Sequence, residues 1–121
     1  MNLKIVRKVI TARLKECTDN VWFNNTKKST EFPYAIFSCA NPKTDESMNN
    51  IPIDIDLWDY AKNENALDDL CKTVTDAFDK YLVTSDGCSM IFYFDNVLIL
   101  SDEDPLISRR SIKLIIREVE L

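Results

Sequence analysis

The sequence contains no histidine and only one glycine, Gly87. Without histidine, neither a Ser-His-Asp triad nor a Cys-His pair can form within the chain. A single glycine also excludes the glycine-rich loops that cradle phosphates and dinucleotides. The sequence therefore predicts a protein that is not an enzyme.

The four cysteines are widely spaced and form no C-x-x-C pair. Structural zinc sites draw on closely spaced cysteine and histidine ligands, so we expect no metal ion and no other cofactor. Each cysteine falls in a segment with the pattern of a helix or a strand, and free cysteine is among the most often buried residues. We predict four free, mostly buried thiols at Cys17, Cys39, Cys71 and Cys88.

A positive charge balance and a long apolar run are also missing. The net charge is −5 and the pI is about 4.7, whereas non-specific binding to nucleic acid or anionic lipid needs a positive surface. No segment approaches the length that spans a bilayer, and the basic N-terminal segment lacks the apolar run of a signal peptide. We expect no membrane contact and production in a cytoplasm.

The 121 residues, 45% of them hydrophobic, suit a single domain over 1–121 with one core. Helical spacing of apolar residues predicts one helix over Asn2–Cys17 and a second that Asn63 or Asn65 can cap. The inward stripe of the second helix is expected to be Leu67, Leu70, Val74, Phe78 and Tyr81. Alternating or β-rich segments predict the strands VWF, PYAIFSCA, NIPIDIDLWDY, SMIFYF, VLIL and RRSIKLIIREVEL.

Two turns are expected in the second half, at TSDGC around Gly87 and at the Asp-Asn pair before VLIL. The loops between paired strands are too short for βαβ crossovers, so an antiparallel or mixed sheet is favoured. Two amphipathic helices would then pack on one face of that sheet. The predicted fold class is α+β.

The segment NIPIDIDLWDY alternates apolar and acidic residues and places Asp54, Asp56 and Trp58 on one face of a strand. The two carboxylates can hold Mg²⁺, which prefers oxygen ligands, act as an acid/base pair, face solvent, or meet a basic surface. Trp58 is expected to be covered by a helix or by a neighbouring subunit, since large aromatic residues fill cores or anchor interfaces. Trp22 is expected in the core.

The final strand carries Arg109, Lys113 and Arg117 on one face. If this strand lies beside the acidic one, opposite charges stabilise the pair by roughly 0.2–1 kcal/mol. If the two faces meet across a subunit interface, the same complementarity fixes register and partner choice. The sequence leaves both arrangements open.

The succession of segments resembles one family. RLKE ends the first helix, VWF and FPYAIFS follow, and IDIDLWDYAKNENALDDLCKTVTDAF and MIFYFDN precede RRSIKLIIRE. In this order and spacing, over nearly all of the chain, they resemble the tail-completion or tail-terminator proteins of tailed bacteriophages and prophages. Phage-tail-like bacteriocins use a terminator of the same kind.

This resemblance implies a structural role in a virion, assembled in the host cytoplasm. Family members form rings, commonly hexameric, that cap the head-proximal end of the tail tube, stop tube polymerisation and receive the head connector. The implied partners are further copies of the chain, the tail tube protein, and connector or neck proteins. The residues expected at a subunit or partner interface are Asp54, Asp56, Trp58, Arg109, Arg110, Lys113 and Arg117.

Such a ring lets DNA pass through its lumen without binding it specifically, and a lumen lined by carboxylates repels phosphates. The acidic loops KTDES and SDEDP are candidates for the lumen or its rim, through Lys43, Asp45, Glu46, Asp102, Glu103 and Asp104. Three alternatives stay open: a head-side neck or head-completion protein, a small metal-dependent enzyme that uses Asp54 and Asp56, and a soluble adaptor unrelated to phage.

Overall fold

Two helices and seven strands make up the described part of the computed structural model, which covers residues 3–23, 31–39, 43–44 and 49–120. The helices are α1 (Leu3–Lys15) and α2 (Glu64–Phe78), the second preceded by a 3-10 turn at Ala61–Asn63. The strands are β1 (Val21–Phe23), β2 (Tyr34–Cys39), β3 (Lys43–Thr44), β4 (Asn49–Tyr60), β5 (Leu82–Ser85), β6 (Cys88–Ser101) and β7 (Ile107–Glu120).

All seven strands belong to one sheet. Six of them lie side by side in the order β1-β2-β4-β7-β6-β5, and the two-residue strand β3 pairs with β4 outside this order. The β1–β2 pair is parallel and every other described pair is antiparallel. The predicted α+β class with a mixed sheet is therefore confirmed. The longest pairing joins β4 to β7, with Asp54 opposite Lys113 and Leu57 opposite Arg110.

One face of the sheet carries the core. The alternation expected for β4 is confirmed, since Ile51, Ile53, Ile55 and Leu57 are all fully buried. They share one cluster with Ile112, Leu114 and Ile116 of β7 and with the apolar stripes of both helices. Both helices thus pack on this face, as predicted. We call the opposite side, which carries Asp54, Asp56 and Trp58, the outer face.

The buried residues of both helices recur at helical spacing, but the stripe of α2 differs from the prediction at Leu70 and Tyr81. In α1 the buried residues are Val6, Val9, Ile10 and Leu14, and in α2 they are Leu67, Cys71, Val74 and Phe78. The predicted Leu70 and Tyr81 are only partly buried, and Tyr81 lies beyond the end of α2. Burying a large aliphatic or aromatic side chain stabilises the fold by about 1.5–3 kcal/mol, so these eight positions fix both helices on the sheet.

The structure corrects two expectations. The chain does not reverse at Asp95 and Asn96, because a bulge there lets β6 continue and pair with β7 along both halves. Trp22 is not in the core, since its side chain is 44% exposed. Alternation in β1 sends Val21 and Phe23 toward the helices and leaves Trp22 on the outer face of an edge strand.

Local turn and capping signals gave mixed results. The turn at TSDGC is confirmed, with φ of 52° at Asp86 and 82° at Gly87, as a two-residue hairpin turn of type I′ requires. Asn63 does precede α2, but its side chain makes no capping hydrogen bond. Instead its Nδ2 donates to Asp59 Oδ1 at 3.3 Å. Asn63 therefore holds the end of β4 against the start of the helix.

The four cysteines are free, as predicted; Cys71 is buried and the other three are partly buried. Burial raises the pKa of Cys39 to about 11 from 9.0, against the opposing charge of Arg7. Because the thiolate is the reactive form, native Cys39 should react with iodoacetamide at pH 8 about a hundredfold more slowly than an ordinary thiol. Peptide mass spectrometry in buffer and in urea checks this, and equal rates in both would contradict it.

Candidate functional site

Charged side chains line the centre of the outer face. Lys113 Nζ lies 3.0 Å from Asp54 Oδ1, its direct partner across β4 and β7. One step along, Arg109 Nη2 donates to Asp56 Oδ2 at 2.9 Å. We call these four residues the ion ladder. The sequence left open whether these opposite charges pair within one chain or across a subunit interface. The structure shows pairs between neighbouring strands of one chain.

The ladder is only partly shielded from water. Side-chain exposure is 45% for Asp54, 31% for Lys113 and Arg109, and 21% for Asp56. Cross-strand pairs of this kind contribute roughly 0.2–1 kcal/mol each. Asp56 Oδ1 and Arg109 Nε are buried and have no hydrogen-bond partner among the described residues. An interface role for the ladder stays a prediction.

An aromatic cluster, which we call the aromatic corner, adjoins the ladder. The rings of Tyr34 and Trp58 stack with their centroids 4.9 Å apart and their planes at 12°. Phe32 contacts Tyr34 at 5.2 Å and Tyr60 at 4.5 Å. The Arg109 guanidinium lies 4.9 Å from the Trp58 centroid and so connects the corner to the ladder. Trp58 is on the predicted face, beside a tyrosine rather than beneath a helix.

The corner also changes the chemistry of Tyr34, which is only 3% exposed. Burial raises the pKa of its phenol, the negative charge of Asp102 raises it further, and the charge of Arg109 opposes the change. The Tyr34 phenol is therefore harder to ionise than that of an ordinary tyrosine.

Arg110 lies on the opposite side of β7 from the other predicted interface residues. It is 4% exposed, and its Nη2 and Nε donate to Glu64 Oε1 at 3.0 Å and Asp68 Oδ1 at 2.9 Å. Burial acts to lower the pKa of this guanidinium, but its hydrogen bonds to Glu64 and Asp68, together with their negative charges, raise it overall. Because α2 covers Arg110, only the exposed sides of its two acidic partners are available to another subunit.

Arg117 occupies the far end of the outer face. Its Nε donates to Asn50 Oδ1 at 3.2 Å, across the register of β4 and β7. Together with Tyr93 and Ile115 these residues line a shallow cavity of about 550 Å³. Tyr93 and Ile115 are 38% and 37% exposed, so the charged face ends in an apolar surface.

The acidic loops differ in what the structure describes. Asp102, Glu103 and Asp104 form the turn between β6 and β7, where Asp102 Oδ2 accepts from the Asp104 backbone N–H at 3.1 Å. Lys43 lies in β3 opposite Asn50. Asp45 and Glu46 lie outside the described residues. The lumen or rim role of all six residues stays a prediction.

The second half of β6 forms an apolar edge. β5 pairs with β6 only at Cys88–Ile91, so from Phe94 onward β6 has β7 as its one described partner strand. Ile99 is 75% exposed, Leu98 44% and Phe94 36%, and Leu106 in the following turn is 70% exposed. An exposed apolar edge associates with another strand unless it is blocked, and here Asp95 and the bulge beside it are the features that limit such pairing. This edge was not predicted from the sequence, because the Asp-Asn pair at Asp95 and Asn96 was expected to form a turn.

The aromatic corner was also missed. The even-numbered face of PYAIFSCA carries Tyr34, and the acidic face of NIPIDIDLWDY carries Trp58. Pairing those two strands antiparallel would have brought both rings together, since directly opposite residues share a face. No sequence signal marks Phe32, which comes before β2.

Two further findings concern metal and membrane. Within the described ranges, no three His, Cys, Asp or Glu side chains are grouped so as to hold a metal ion. Asp54 and Asp56 each face a cation instead. Among the helices of the described segments, none has the length and apolar character needed to cross a membrane.

Comparison with known proteins gives a likeness of fold. No protein-family model matches the sequence, and no curated protein matches it. A chain in the virion of a native gene transfer agent particle aligns with 89% of this chain and 84% of its own, with a TM-score of 0.64 and 17% identity. A second solved chain aligns with 100% of this chain and 97% of its own, with a TM-score of 0.72 and 13% identity. At such identities the likeness is one of fold alone.

Proposed function

We propose that this chain is a structural protein of a phage or phage-like virion, in which it forms a ring on the head-proximal end of the tail tube. The ring stops tube polymerisation and joins the tail to the head connector. The observation that carries the proposal is the fold shared, over 89% of the chain, with a chain of a gene transfer agent virion. The order of sequence segments, which resembles that of tail-terminator proteins, supports the position at the end of the tail tube.

A closed ring needs two different surfaces on each subunit that complement one another. β4 and β7 are adjacent, so their opposite charges form one mixed patch rather than two separate ones. The outer face, with its ion ladder and aromatic corner, is the first surface of the proposed contact. The apolar β6 edge is the second, and the exposed apolar residues Tyr93 and Ile115 on the outer face of a neighbouring subunit would complement it. A hexamer is the expected ring.

The charge of the chain suits a passage for DNA. A net charge of −5 per subunit gives a ring of this chain a negative overall field. Phosphates are repelled by such a field, so DNA would move through the lumen without being held. Asp102, Glu103 and Asp104 on the β6–β7 turn remain our candidates for the lumen or its rim. A positive lumen in the assembled particle would refute this part of the proposal.

Electron microscopy of the purified protein, with and without tail tubes of its own phage, tests the assignment. We expect one ring on the end of each tube and tubes that no longer elongate. A protein that leaves the tubes bare but binds isolated portal complexes would place the chain in the neck, on the head side. The likeness in fold to a virion chain fits a position on the tail and one in the neck equally well. The samples with tubes and with portal complexes are therefore run in parallel.

A charge exchange separates the interface role of the ion ladder from its role in folding. Asp54→Lys alone places two lysines opposite each other and should lower stability by about 1 kcal/mol. Asp54→Lys with Lys113→Asp restores the pair with reversed polarity, so stability should return to within about 0.5 kcal/mol of the original.

If the ladder is part of the subunit or tube contact, the double variant folds but does not cap tubes, since the partner now meets reversed charges. Urea unfolding and tube capping are measured on the same preparations. Normal capping by the stable double variant would show that the ladder acts only within the chain.

A further inference from the structure

A small cavity lies at the aromatic corner, where the end of β4 meets the start of β7. It has a volume of about 250 Å³ and is lined mainly by four rings and two carboxylates, from Phe32, Tyr34, Trp58, Tyr60, Asp102 and Asp104. Pockets that enclose a small molecule are usually larger, at about 300–1,000 Å³. This cavity suits the end of a side chain or a similarly small group.

Its aromatic wall is continuous. Tyr60 contacts Phe32, Phe32 contacts Tyr34, and Tyr34 stacks on Trp58, with centroid separations of 4.5, 5.2 and 4.9 Å. The faces of such rings carry negative electrostatic potential and attract ammonium and guanidinium groups. Tyr60 is 40% exposed, so the wall is open to a ligand.

Two cations of the chain already lie against these rings. The Arg109 guanidinium is 4.9 Å from the Trp58 centroid, and Lys62 Nζ is 5.4 Å from the Tyr60 centroid. Neither residue lines the cavity. Among the described residues, cations therefore lie at both margins of the wall and none lines the cavity between them.

The cavity adds two negative charges to the wall. The Asp104 backbone N–H donates to Asp102 Oδ2, and Asp104 Oδ1 accepts from the Leu106 backbone N–H at 2.9 Å, so the turn itself fixes both carboxylates. No side chain in the described segments forms an ion pair with either one. An anion would be repelled here, and a neutral group would leave both charges unmatched.

We propose that this cavity binds an alkylammonium or guanidinium group, such as the end of a lysine or arginine side chain of another protein. The exposed parts of the rings, above all that of Tyr60, would contact the cation, and Asp102 and Asp104 would supply the opposite charge. The proposal stands on the geometry of the corner and holds whether or not the protein caps a tail tube.

Trp58 reports on its own cavity once the other tryptophan is removed. Trp22→Phe leaves Trp58 as the one tryptophan, so a change in tryptophan fluorescence reports on the aromatic corner. The titrations are carried out at constant ionic strength. The probes are n-butylammonium, n-butylguanidinium, choline, and 3,3-dimethyl-1-butanol as the uncharged analogue of choline. We expect a saturable change with the cations and at least about tenfold weaker binding of the alcohol.

Variants in the β6–β7 turn identify the charges responsible. Asp102→Asn with Asp104→Asn should weaken binding of butylammonium about tenfold, whereas Glu103→Gln, in the same turn but outside the cavity lining, should leave it unchanged. Circular dichroism confirms that each variant is folded. Proton NMR of the aromatic rings repeats the titration on the original chain.

Each result of these titrations either supports or overturns the proposal. Binding of a Gly-Lys-Gly peptide at least as tight as that of butylammonium supports a protein side chain as the ligand. If choline binds more tightly than both butylammonium and the peptide, a free small cation is supported as the ligand of this site. Equal binding of the alcohol and choline, an unaffected double variant, or no saturation with any cation would overturn the proposal.

Discussion

Replacing Phe92 by alanine is expected to lower the free energy of unfolding by about 3–5 kcal/mol. The ring is fully buried, with its centroid 5.2 Å from that of Phe78 and 5.7 Å from that of Tyr81. Its backbone accepts from Lys80 N–H and donates to the Tyr81 carbonyl. Alanine keeps both backbone bonds, so the loss comes from the ring and from the cavity left between α2 and β6.

Phe94→Ala is the matched control, because Phe94 is two residues further along the same strand but 36% exposed. We expect a smaller loss of about 1–2 kcal/mol there, since 36% of the residue already contacts water. Urea unfolding followed by far-UV circular dichroism gives both values. Similar losses in the two variants would mean that α2 does not pack on Phe92 as described.

Replacing Arg110 by alanine should destabilise the protein by about 2–3 kcal/mol. Its guanidinium is held beneath α2 by Glu64 and Asp68 and also donates to the Arg109 carbonyl at 3.1 Å. Removing the side chain empties space between α2 and β7 and breaks all three contacts. The cost stays below that of a fully buried ion pair because both carboxylates are 57% exposed and regain water.

Arg117→Ala tests whether any arginine of β7 would have the same effect. Arg117 is exposed and, within the described residues, donates one hydrogen bond, to Asn50, so we expect a change of about 0.5 kcal/mol or less. Arg110→Met fills the space without the charge and should recover part of the loss. If Arg110→Ala proves as mild as Arg117→Ala, the contact with α2 contributes little to stability.

Local pattern was enough to predict much of this fold. The period of two in NIPIDIDLWDY and SIKLIIR assigned the buried and outer faces of β4 and β7 because each strand has one face in the core. The period of 3.6 gave both helices. The bulge at Asp95 was not predictable, since Asp-Asn is also a common turn sequence and only the length of β7 favours a continuous strand.

The site was less predictable because it depends on which strands are neighbours. The sequence offered Asp54 and Lys113 as partners but not whether they belong to one chain or two, since strand order is set by the whole sheet. Arg110 was grouped with Arg109 although adjacent residues of a strand point to opposite faces. The cavity joins Phe32, Trp58 and Asp102, which are close only after folding.

The position of β7 in the sheet has a consequence for folding kinetics. β7 is the last strand along the chain, yet it lies between β4 and β6 and pairs with both. In the described sheet, β7 is the strand that joins β1–β4 on one side to β5 and β6 on the other. Such non-local pairing is slow, typically milliseconds to seconds. The sheet is therefore completed only when β7 inserts, so folding on the ribosome cannot finish before that strand has emerged.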